Sequence, residues 1–159
     1  MACGPRCCGY RGSMTEYAIR TFETGDTEQV VALWTECGLI RPWNDPNRDI
    51  ARKRTVQPEL FLVAESVTDA GRDIVAVGMA GFDGHRGWVN YLAVKPALQG
   101  SGLGRRLMAE FEERLLSLGC PKLSLQVRTS NEQALSFYET LGYVVDPVVS
   151  MGKRLIPDV

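Results

Sequence analysis

A glycine-rich turn in the second half of the chain joins a strand-like run to a helix-like run. The run before the turn, Trp88–Val94, is rich in β-branched and aromatic residues, which favour a strand. The run after it carries apolar residues at helical spacing, at Leu103, Leu107, Phe111, Leu115 and Leu118. Glycines between the runs permit a tight turn whose backbone N–H groups stay uncovered. Because uncovered N–H groups at a helix N-terminus attract anions, the turn predicts a phosphate or pyrophosphate site.

The turn does not fit the two common nucleotide-binding loops. A Walker loop ends in Gly-Lys-Ser/Thr, whereas this turn ends in Gly104-Arg105-Arg106, without the lysine or the hydroxyl for magnesium. A Rossmann loop has the spacing G-x-G-x-x-G and opens the first βαβ unit. Here the glycines stand at positions 100, 102 and 104, beyond the middle of the chain. Both nucleotide-binding interpretations are therefore weak.

A second motif downstream gives the turn a more specific interpretation. The turn, Gln99-x-x-Gly102-x-Gly104, resembles the Q/R-x-x-G-x-G/A pyrophosphate loop of the GNAT family of N-acetyltransferases. Residues Asn131–Tyr143 resemble the same family's N-x-x-A-x-x-F-Y-x-x-L-G-F/Y block. The two motifs occur in the right order, with a helix and a strand between them. The resemblance extends over roughly residues 17–155, with the loop and block motifs as its most specific part.

The hydrophobic pattern predicts alternating strands and helices along the rest of the chain. Predicted strands are Tyr17–Phe22, Leu60–Ser66, Ile74–Phe82, Trp88–Val94, Leu123–Val127 and the closing pair Val144–Val145 and Val148–Met151. Predicted helices contain Val30–Cys37, Arg48–Thr55, Leu103–Leu118 and Ala134–Thr140. The order β-α-α-β-β-β-α-β-α-β indicates an α/β (mixed α+β) domain, with a central mixed sheet flanked by helices on both faces. The GNAT resemblance implies the same fold.

The composition suits one globular domain. The chain has 159 residues, of which 45% are hydrophobic, enough to form a sizeable core. We predict a single N-acetyltransferase domain over residues 17–159, preceded at residues 1–16 by a disordered leader or an expression tag. The leader holds three of the five cysteines, Cys3, Cys7 and Cys8. Because no matching set of cysteines or histidines follows, we predict no metal site.

Charge and hydropathy give no sign of a nucleic-acid or membrane partner. The formal net charge is −1, no apolar run approaches the length of a membrane span, and the first residues lack the apolar core of a secretory signal. Cys37 and Cys120 have the setting of packed thiols, which indicates a reducing compartment. We therefore expect a cytoplasmic protein. The oligomeric state stays open, with a homodimer as one alternative.

The GNAT resemblance implies acetyl-CoA, or coenzyme A, as cofactor. The strand at Leu92 would pair with the pantetheine arm, and a backbone N–H there would polarise the thioester carbonyl. To admit the cofactor, this strand would separate from its neighbour, which we expect to be Leu123–Val127. The turn would hold the pyrophosphate, with Gln99 closing the loop and Arg105 or Arg106 adding charge. Asn131 would hold the cofactor arm, cap a helix, or do both. The predicted cofactor-binding residues are Leu92, Ala93, Val94, Gln99, Gly100, Ser101, Gly102, Leu103, Gly104, Arg105 and Asn131.

The resemblance also implies a general acid but leaves the general base open. Tyr138 matches the family's tyrosine that protonates the departing thiolate; the alternative is a core aromatic packed against its neighbours. Some family members carry a glutamate on the strand that corresponds to Trp88–Val94, and this strand has no carboxylate. Water relayed to another side chain would then serve. The candidates for that relay are Glu65, Asp83, His85 and the Tyr91 hydroxyl.

Two segments bear on the acceptor amine. In GNAT proteins the region between the first two helices commonly shapes the acceptor cleft, and here it contains Trp43 and Asn44. The segments Arg41–Pro46 and Gly84–Gly87 resemble a small bacterial GNAT subgroup of undefined substrate. The predicted acceptor-cleft residues are Trp43, Asn44, His85 and Tyr91.

These features predict an enzyme, an acetyltransferase that moves the acetyl group of acetyl-CoA directly to a primary amine. The acceptor would be a small molecule, a peptide or a protein N-terminus. The alternative from another class is a non-catalytic acyl-CoA-binding or sensing domain of the same fold. The tyrosine at position 138 favours the enzyme.

Overall fold

A computed structural model of the chain describes residues 17–68 and 71–157. The predicted leader at residues 1–16, with its three cysteines, lies outside the described residues, so the domain boundary at residue 17 stays a prediction. The described strands are β1 (Tyr17–Thr21), β2 (Phe61–Thr68), β3 (Gly71–Phe82), β4 (Gly87–Val94) and β5 (Leu123–Leu125). The described α-helices are α1 (Thr27–Glu36), α2 (Pro46–Lys53), α3 (Leu103–Ser117) and α4 (Glu132–Thr140).

The strands form one mixed sheet in the order β1-β2-β3-β4-β5. The first four strands are antiparallel to their neighbours, and β5 runs parallel to β4. A parallel pair needs a crossover connection, and α3 supplies it. This arrangement confirms the predicted mixed α/β fold.

Helices cover both faces of the sheet because its central strands are apolar on both sides. In β2 and the residue before it, Leu60, Leu62 and Ala64 pack on the α3 face. The alternate residues Phe61 and Val63 pack on the face covered by α1 and α2. This period of two explains why the β2 sequence is a nearly continuous apolar run, which is typical of a strand buried on both faces.

Strand β4 departs from regular pairing with β3 near its C-terminal end, shortly before the glycine-rich turn. Val77 pairs with Ala93 and Met79 pairs with Asn90, so two β4 residues, Tyr91 and Leu92, lie opposite Gly78. Such a bulge bends the strand and increases its local twist. Tyr91 itself has a φ of 53°, a left-handed conformation that is uncommon for a residue other than glycine.

Strands β4 and β5 separate just before this bulge. Their parallel pairing begins at Gly87 with Leu123 and ends at Val89 with Leu125. Among the described residues, no strand pairs with the second half of β4 on its β5 side. The sequence predicts β5 as this neighbour, and the structure shows that the pair opens after only three residues.

The predicted closing strands are wrong for the described C-terminal residues. Residues 144–151 form no strand, and Val144, Val145, Val148, Val149 and Met151 are exposed. Pro147 fixes its φ and offers no N–H to a ladder. The Val148 N–H instead donates to the Asp146 carbonyl oxygen at 2.8 Å, which folds the chain into a tight turn. The high β-propensity of the valines therefore does not produce a strand here.

Helix α3 supplies the largest side chain of the core on its face of the sheet. Phe111 has no exposed area, and it packs within the cluster that includes Leu107 and Met108. We expect Phe111→Ala to lower the free energy of unfolding by about 3–5 kcal/mol, because it removes a buried ring and leaves a cavity. Urea denaturation followed by circular dichroism measures this loss.

The matched control is Leu116→Ala, on the exposed side of the same helix, where 73% of the side chain is accessible. We expect that variant to change the unfolding free energy by at most about 0.5 kcal/mol. Equal losses in the two variants would contradict the assignment of the buried face of α3.

Candidate active site

The predicted cofactor-binding residues converge on one cleft between β4, the glycine-rich turn and α4. Its volume of about 560 Å³ lies in the range of roughly 300–1,000 Å³ typical of small-molecule sites. The predicted residues that line it are Leu92, Ala93, Val94, Gln99, Gly100, Gly102, Gly104, Arg105, Asn131 and Tyr138. Ser101 and Leu103 are not among the lining residues, and the Leu103 side chain is buried in the core.

The turn is shaped so that its backbone stays open. Gly100 and Gly102 have φ values of 81° and 87°, and no atom lies within 4 Å of the position where either would carry a Cβ. Gly102 caps the N-terminus of α3, a helix of 15 residues. Uncovered N–H groups at the start of a helix, facing an open cleft, suit a phosphate-bearing ligand.

Two glutamines hold the turn against the neighbouring elements. Gln99 donates from Nε2 to the Val94 carbonyl oxygen at 3.1 Å, which connects the start of the turn to the end of β4. Gln133, on α4, donates to Gln99 Oε1 at 3.1 Å. The sequence predicts that Gln99 closes the loop, but its link to α4 is visible only in the structure.

Arg105 and Arg106, which follow the turn, contact different parts of the molecule. Arg105 lines the cleft, whereas Arg106 donates from Nη2 to the Tyr17 carbonyl oxygen at 3.0 Å. Only Arg105 therefore adds positive charge to the cleft itself. Gly104 packs against α4, since a Cβ there would lie 3.2 Å from the Phe137 ring.

Tyr138 lies in the cleft with its ring wedged between two aromatic neighbours. The ring makes edge contacts with Phe137 and Tyr143, at centroid distances of 5.0 and 5.7 Å. Burial raises the pKa of Tyr138 to about 12, so the hydroxyl keeps its proton at neutral pH. The two interpretations of the sequence are compatible here, because the ring packs as a core aromatic and the residue lines the cleft.

Asn131 has the capping role that the sequence offered as an alternative. Its Oδ1 accepts a hydrogen bond from the Ala134 N–H at 3.1 Å, as expected of an N-cap residue. It also lines the cleft. Asn131 thus fixes the start of α4 and, through it, the position of Tyr138.

Some of the lining residues were missed in the sequence. Cys37 and Leu39 come from the end of α1 and the residues after it, about 50 positions before β4. No local pattern connects them to the turn. Leu98 sits in the turn, and the other missed residues belong to the α4 motif, whose resemblance could have indicated them: Gln133, Ala134, Ser136, Phe137 and Thr140.

The thiol of Cys37 faces the cleft but is a poor nucleophile. Its Sγ donates to the Val94 carbonyl oxygen at 3.4 Å. Burial raises the pKa of the Cys37 thiol, and the nearby Glu36 carboxylate acts in the same direction. Since the thiolate is the reactive form of cysteine, a raised pKa disfavours covalent catalysis at this position.

A polar cluster around Tyr91 lies on the other face of the sheet. The Tyr91 hydroxyl donates to Asp49 Oδ2 at 2.8 Å and accepts from Asn44 Nδ2 at 3.2 Å. The fully buried Trp34 packs against the Tyr91 ring, with a centroid distance of 4.4 Å and a tilt of 30°, and donates from its indole N–H to the Tyr91 carbonyl oxygen. These contacts stabilise a backbone conformation that costs about 1–3 kcal/mol. Asp49 was missed because 42 residues separate it from Tyr91.

The predicted acceptor-cleft residues do not all come together. Asn44 contacts Tyr91, and Trp43 precedes Asn44 in the same loop with 48% of its side chain exposed. His85 lies in the turn before β4, where Asp83 Oδ1 accepts hydrogen bonds from the His85 and Arg86 N–H groups. That turn is at the opposite end of β4 from the glycine-rich turn.

Of the candidates for the water-relayed base, Tyr91 alone lies at the bulge. Glu65 is on β2, two strands away from β4, and binds Arg20 at 2.9 Å. Asp83 and His85 belong to the turn before β4. Within residues 17–68 and 71–157, no group of three or more histidine, cysteine or acidic side chains could hold a metal ion.

The cleft contains the two motifs that suggested the family. Comparison with known proteins shows whether the chain belongs to it. The model of the acetyltransferase (GNAT) family matches residues 26–143. The chain belongs to the GNAT family. An acetyltransferase of Yersinia enterocolitica is 47% identical over 140 residues, which cover 88% of this chain and 96% of that protein. This GNAT protein is therefore an enzyme of the acetyltransferase class, and the comparisons give no support to the non-catalytic alternative.

Solved structures agree with the fold. The chain superposes on a structure of the NatC complex bound to Gag peptide and CoA with a TM-score of 0.69 and 20% identity, covering 81% of this chain and 85% of the other. It superposes on AAC(6')-Iy in complex with a CoA-linked bisubstrate analogue with a TM-score of 0.67 and 15% identity, covering 87% and 99%. At these identities the likeness concerns the fold alone. Within residues 17–68 and 71–157, no helix has the length and apolar character needed to span a membrane.

We expect Gly102→Glu to abolish ligand binding in the cleft. The side chain would fill the open space at the N-terminus of α3, and its carboxylate would repel a phosphate. Thermal unfolding with and without acetyl-CoA measures this, since a ligand that binds only the folded state raises the melting temperature.

The matched control is Gly119→Glu, which follows the other end of α3 and also has a positive φ, 78°, with nothing within 4 Å. It should be strained to a similar degree but keep the acetyl-CoA shift. A retained shift in Gly102→Glu would remove the turn from the binding site.

Proposed function

We propose that this GNAT protein binds acetyl-CoA in the cleft and transfers the acetyl group directly to a primary amine. One observation carries the proposal. The open half of β4, the uncovered N–H groups of the turn and the Tyr138 ring all border the same cleft. A phosphate site, an unpaired strand edge and a proton donor are the features that a pantetheine thioester requires.

The chain's own residues suggest how each part of the cofactor would be held. The N–H groups at Gly100 and Gly102 would bind the pyrophosphate, with the Arg105 charge beside them. The edge of β4 at Leu92–Val94 would pair with the pantetheine amides as a further strand would. A backbone N–H at Leu92 would donate to the thioester carbonyl oxygen and stabilise the charge that develops there.

Acetyl-CoA supplies the acetyl group as a thioester. Tyr138 would hold a proton at its hydroxyl and donate it to the departing sulfur. Burial raises the pKa of Tyr138 to about 12, so the hydroxyl keeps its proton at neutral pH and is available as a donor. The amine must be neutral to attack. Its proton would pass through water to the Tyr91 hydroxyl, which would in turn give its own proton to the Asp49 carboxylate that accepts its hydrogen bond.

The free thiols and the known relatives bear on the remaining parts of the proposal. Cys37 and Cys120 are free, which suits a reducing compartment, so we propose that the protein is cytoplasmic.

Related folds have been crystallised with a Gag peptide or an acetylneamine analogue, so peptides and small amines are both precedents for the acceptor.

The first test is Tyr138→Phe, which removes the hydroxyl and keeps the ring contacts. We expect kcat to fall by about 10²- to 10⁴-fold, the usual contribution of a general acid, with a small change in the KM for acetyl-CoA. Thiol release from acetyl-CoA with an acceptor amine measures both constants.

Tyr143→Phe is the matched control, because its ring belongs to the same aromatic cluster while its hydroxyl donates to Glu112 at 2.7 Å. That variant should keep kcat within about threefold, since it removes no proton from the cleft. If both variants turn over as fast as the wild type where chemistry limits the rate, Tyr138 is only a packed aromatic.

The second test separates direct transfer from an acyl-enzyme. We expect Cys37→Ala to retain most of the wild-type kcat, because the thiol is protonated at neutral pH. Initial rates over a grid of acetyl-CoA and amine concentrations should show intersecting lines. Parallel lines, the sign of ping-pong kinetics, together with an inactive Cys37→Ala variant, would contradict direct transfer.

A further inference from the structure

The hydrogen bonds around Tyr91 continue beyond the proton relay, as far as the C-terminal segment. The Tyr91 hydroxyl accepts a hydrogen bond from Asn44 Nδ2 at 3.2 Å, in addition to the bond that it donates to Asp49. Asn44 Oδ1 in turn accepts from Arg154 Nη2 at 3.1 Å, across 110 positions of sequence. The amide of Asn44 therefore connects the hydroxyl of the relay to the end of the chain.

Local structure places Asn44 and Asp49 on the same hydroxyl. The Asn44 N–H donates to the Arg41 carbonyl oxygen at 3.0 Å, which closes a turn. The next residue, Asp45, caps α2 with its side chain, and Asp49 lies on the first turn of that helix. One continuous stretch of chain thus brings both partners to Tyr91. Both are half-buried, so the relay stays within reach of water.

The Tyr91 hydroxyl has a single proton, and its neighbours decide which oxygen accepts it. An amide NH₂ group only donates, whereas an ionised carboxylate only accepts. Because Asn44 offers Nδ2 and Asp49 offers Oδ2, the hydroxyl proton is directed to Asp49. The other oxygen of that carboxylate, Oδ1, accepts from Arg52 at 3.2 Å. The relay needs this direction, since it ends on Asp49.

Arg154 decides which end of the Asn44 amide faces the tyrosine. After half a turn of the amide, its oxygen would face Tyr91 and would compete with Asp49 for the hydroxyl proton. A guanidinium has donors and no acceptor, so it holds the amide oxygen and would oppose an NH₂ group in the same place. The contact from Arg154 therefore keeps the NH₂ group of Asn44 on the hydroxyl.

We propose that Asn44 and Arg154 are positioning residues for the proton relay: Arg154 orients the Asn44 amide, and the amide directs the Tyr91 proton to Asp49. This inference rests on the proposed function and deepens it, because it names the residues that give the relay its direction. The sequence predicted Asn44 as an acceptor-cleft residue, and no motif indicated Arg154. Both act through Tyr91, without contact with the reacting atoms.

The first measurement is thiol release from acetyl-CoA with two probe amines at about pH 9. At that pH the α-amine of triglycine, with a pKa of about 8, is mostly neutral, whereas the side-chain amine of Nα-acetyllysine, with a pKa of about 10.4, is mostly protonated. Asn44→Asp keeps the shape and the acceptor for Arg154 but replaces the donor by a competing acceptor. We expect it to lower kcat about tenfold or more with Nα-acetyllysine and less than about threefold with triglycine, because only the protonated amine depends on the relay.

Asn47→Asp is the matched control, because it makes the same chemical change three residues later, at an exposed position in the first turn of α2. It should leave kcat with both amines within about twofold, as screened surface charges do. Neither variant should change the KM for acetyl-CoA by more than about twofold, since the amide of Asn44 acts on the amine's proton.

The second measurement tests whether Arg154 acts through Asn44. Arg154→Met should lower kcat with Nα-acetyllysine by about threefold to tenfold, and Arg154→Lys, which keeps a donor without an acceptor, should recover most of that loss. The double variant Asn44→Ala with Arg154→Met should be no slower than Asn44→Ala alone, because residues that act in one chain are not additive. Lys153→Met, which removes the neighbouring positive charge, is the control and should match the wild type.

Three results would overturn the inference and leave the proposed function intact. They are wild-type rates in Asn44→Asp with both amines, an equal loss in that variant with both amines, and additive losses in the double variant. The second would show that Asn44 acts on a step other than proton removal, and the third that Arg154 acts independently of Asn44. If the wild type binds no acetyl-CoA by calorimetry, or releases no thiol with either amine at high concentration, the proposed function fails and the inference falls with it.

Discussion

The separation of β4 from β5 after Val89 is the constraint on which the rest of the site depends. A sheet that stayed paired along the whole of β4 would bury the strand edge at Leu92–Val94 and close the cleft. The bulge opposite Gly78 bends β4 at this position, and α3 returns the chain so that β5 can pair only with the beginning of β4. The glycine-rich turn, which lines the cleft, then starts α3 at the mouth of the opening.

The bulge also connects the two faces of the sheet. On one face, Leu92 borders the cleft that contains Tyr138. On the other, the Tyr91 ring packs against Trp34, and its hydroxyl bridges Asp49 and Asn44. Two successive residues of one strand therefore contact the proposed cofactor side and the proposed acceptor side. The left-handed backbone of Tyr91 is strained, and the ring contact with Trp34 and three hydrogen bonds offset that strain.

Local sequence patterns predicted the parts of the molecule that local interactions determine. The turn and the α4 motif could be identified because each is a contiguous segment whose glycines or cap residues have a direct conformational meaning. The contacts that support Tyr91 at the bulge could not, since Trp34 and Asp49 lie 57 and 42 positions away from it in the sequence. The closing strands failed for a different reason. The valines of residues 144–149 have high β-propensity, but Pro147 and the turn at Asp146 interrupt any ladder there.

Amide hydrogen exchange, resolved by residue with NMR, tests the central claim that the opening of β4 is the acetyl-CoA site. At saturating acetyl-CoA, we expect slower exchange in two places, the β4 edge at Leu92–Val94 and the N-terminus of α3 at Gly102–Arg105, because both would donate to the ligand. The N–H groups at Gly87–Val89, where β4 is already paired with β5, should change little. If calorimetry shows that acetyl-CoA saturates the protein but exchange at Leu92–Val94 does not change, or if protection is confined to another surface, the opening of β4 is not the acetyl-CoA site.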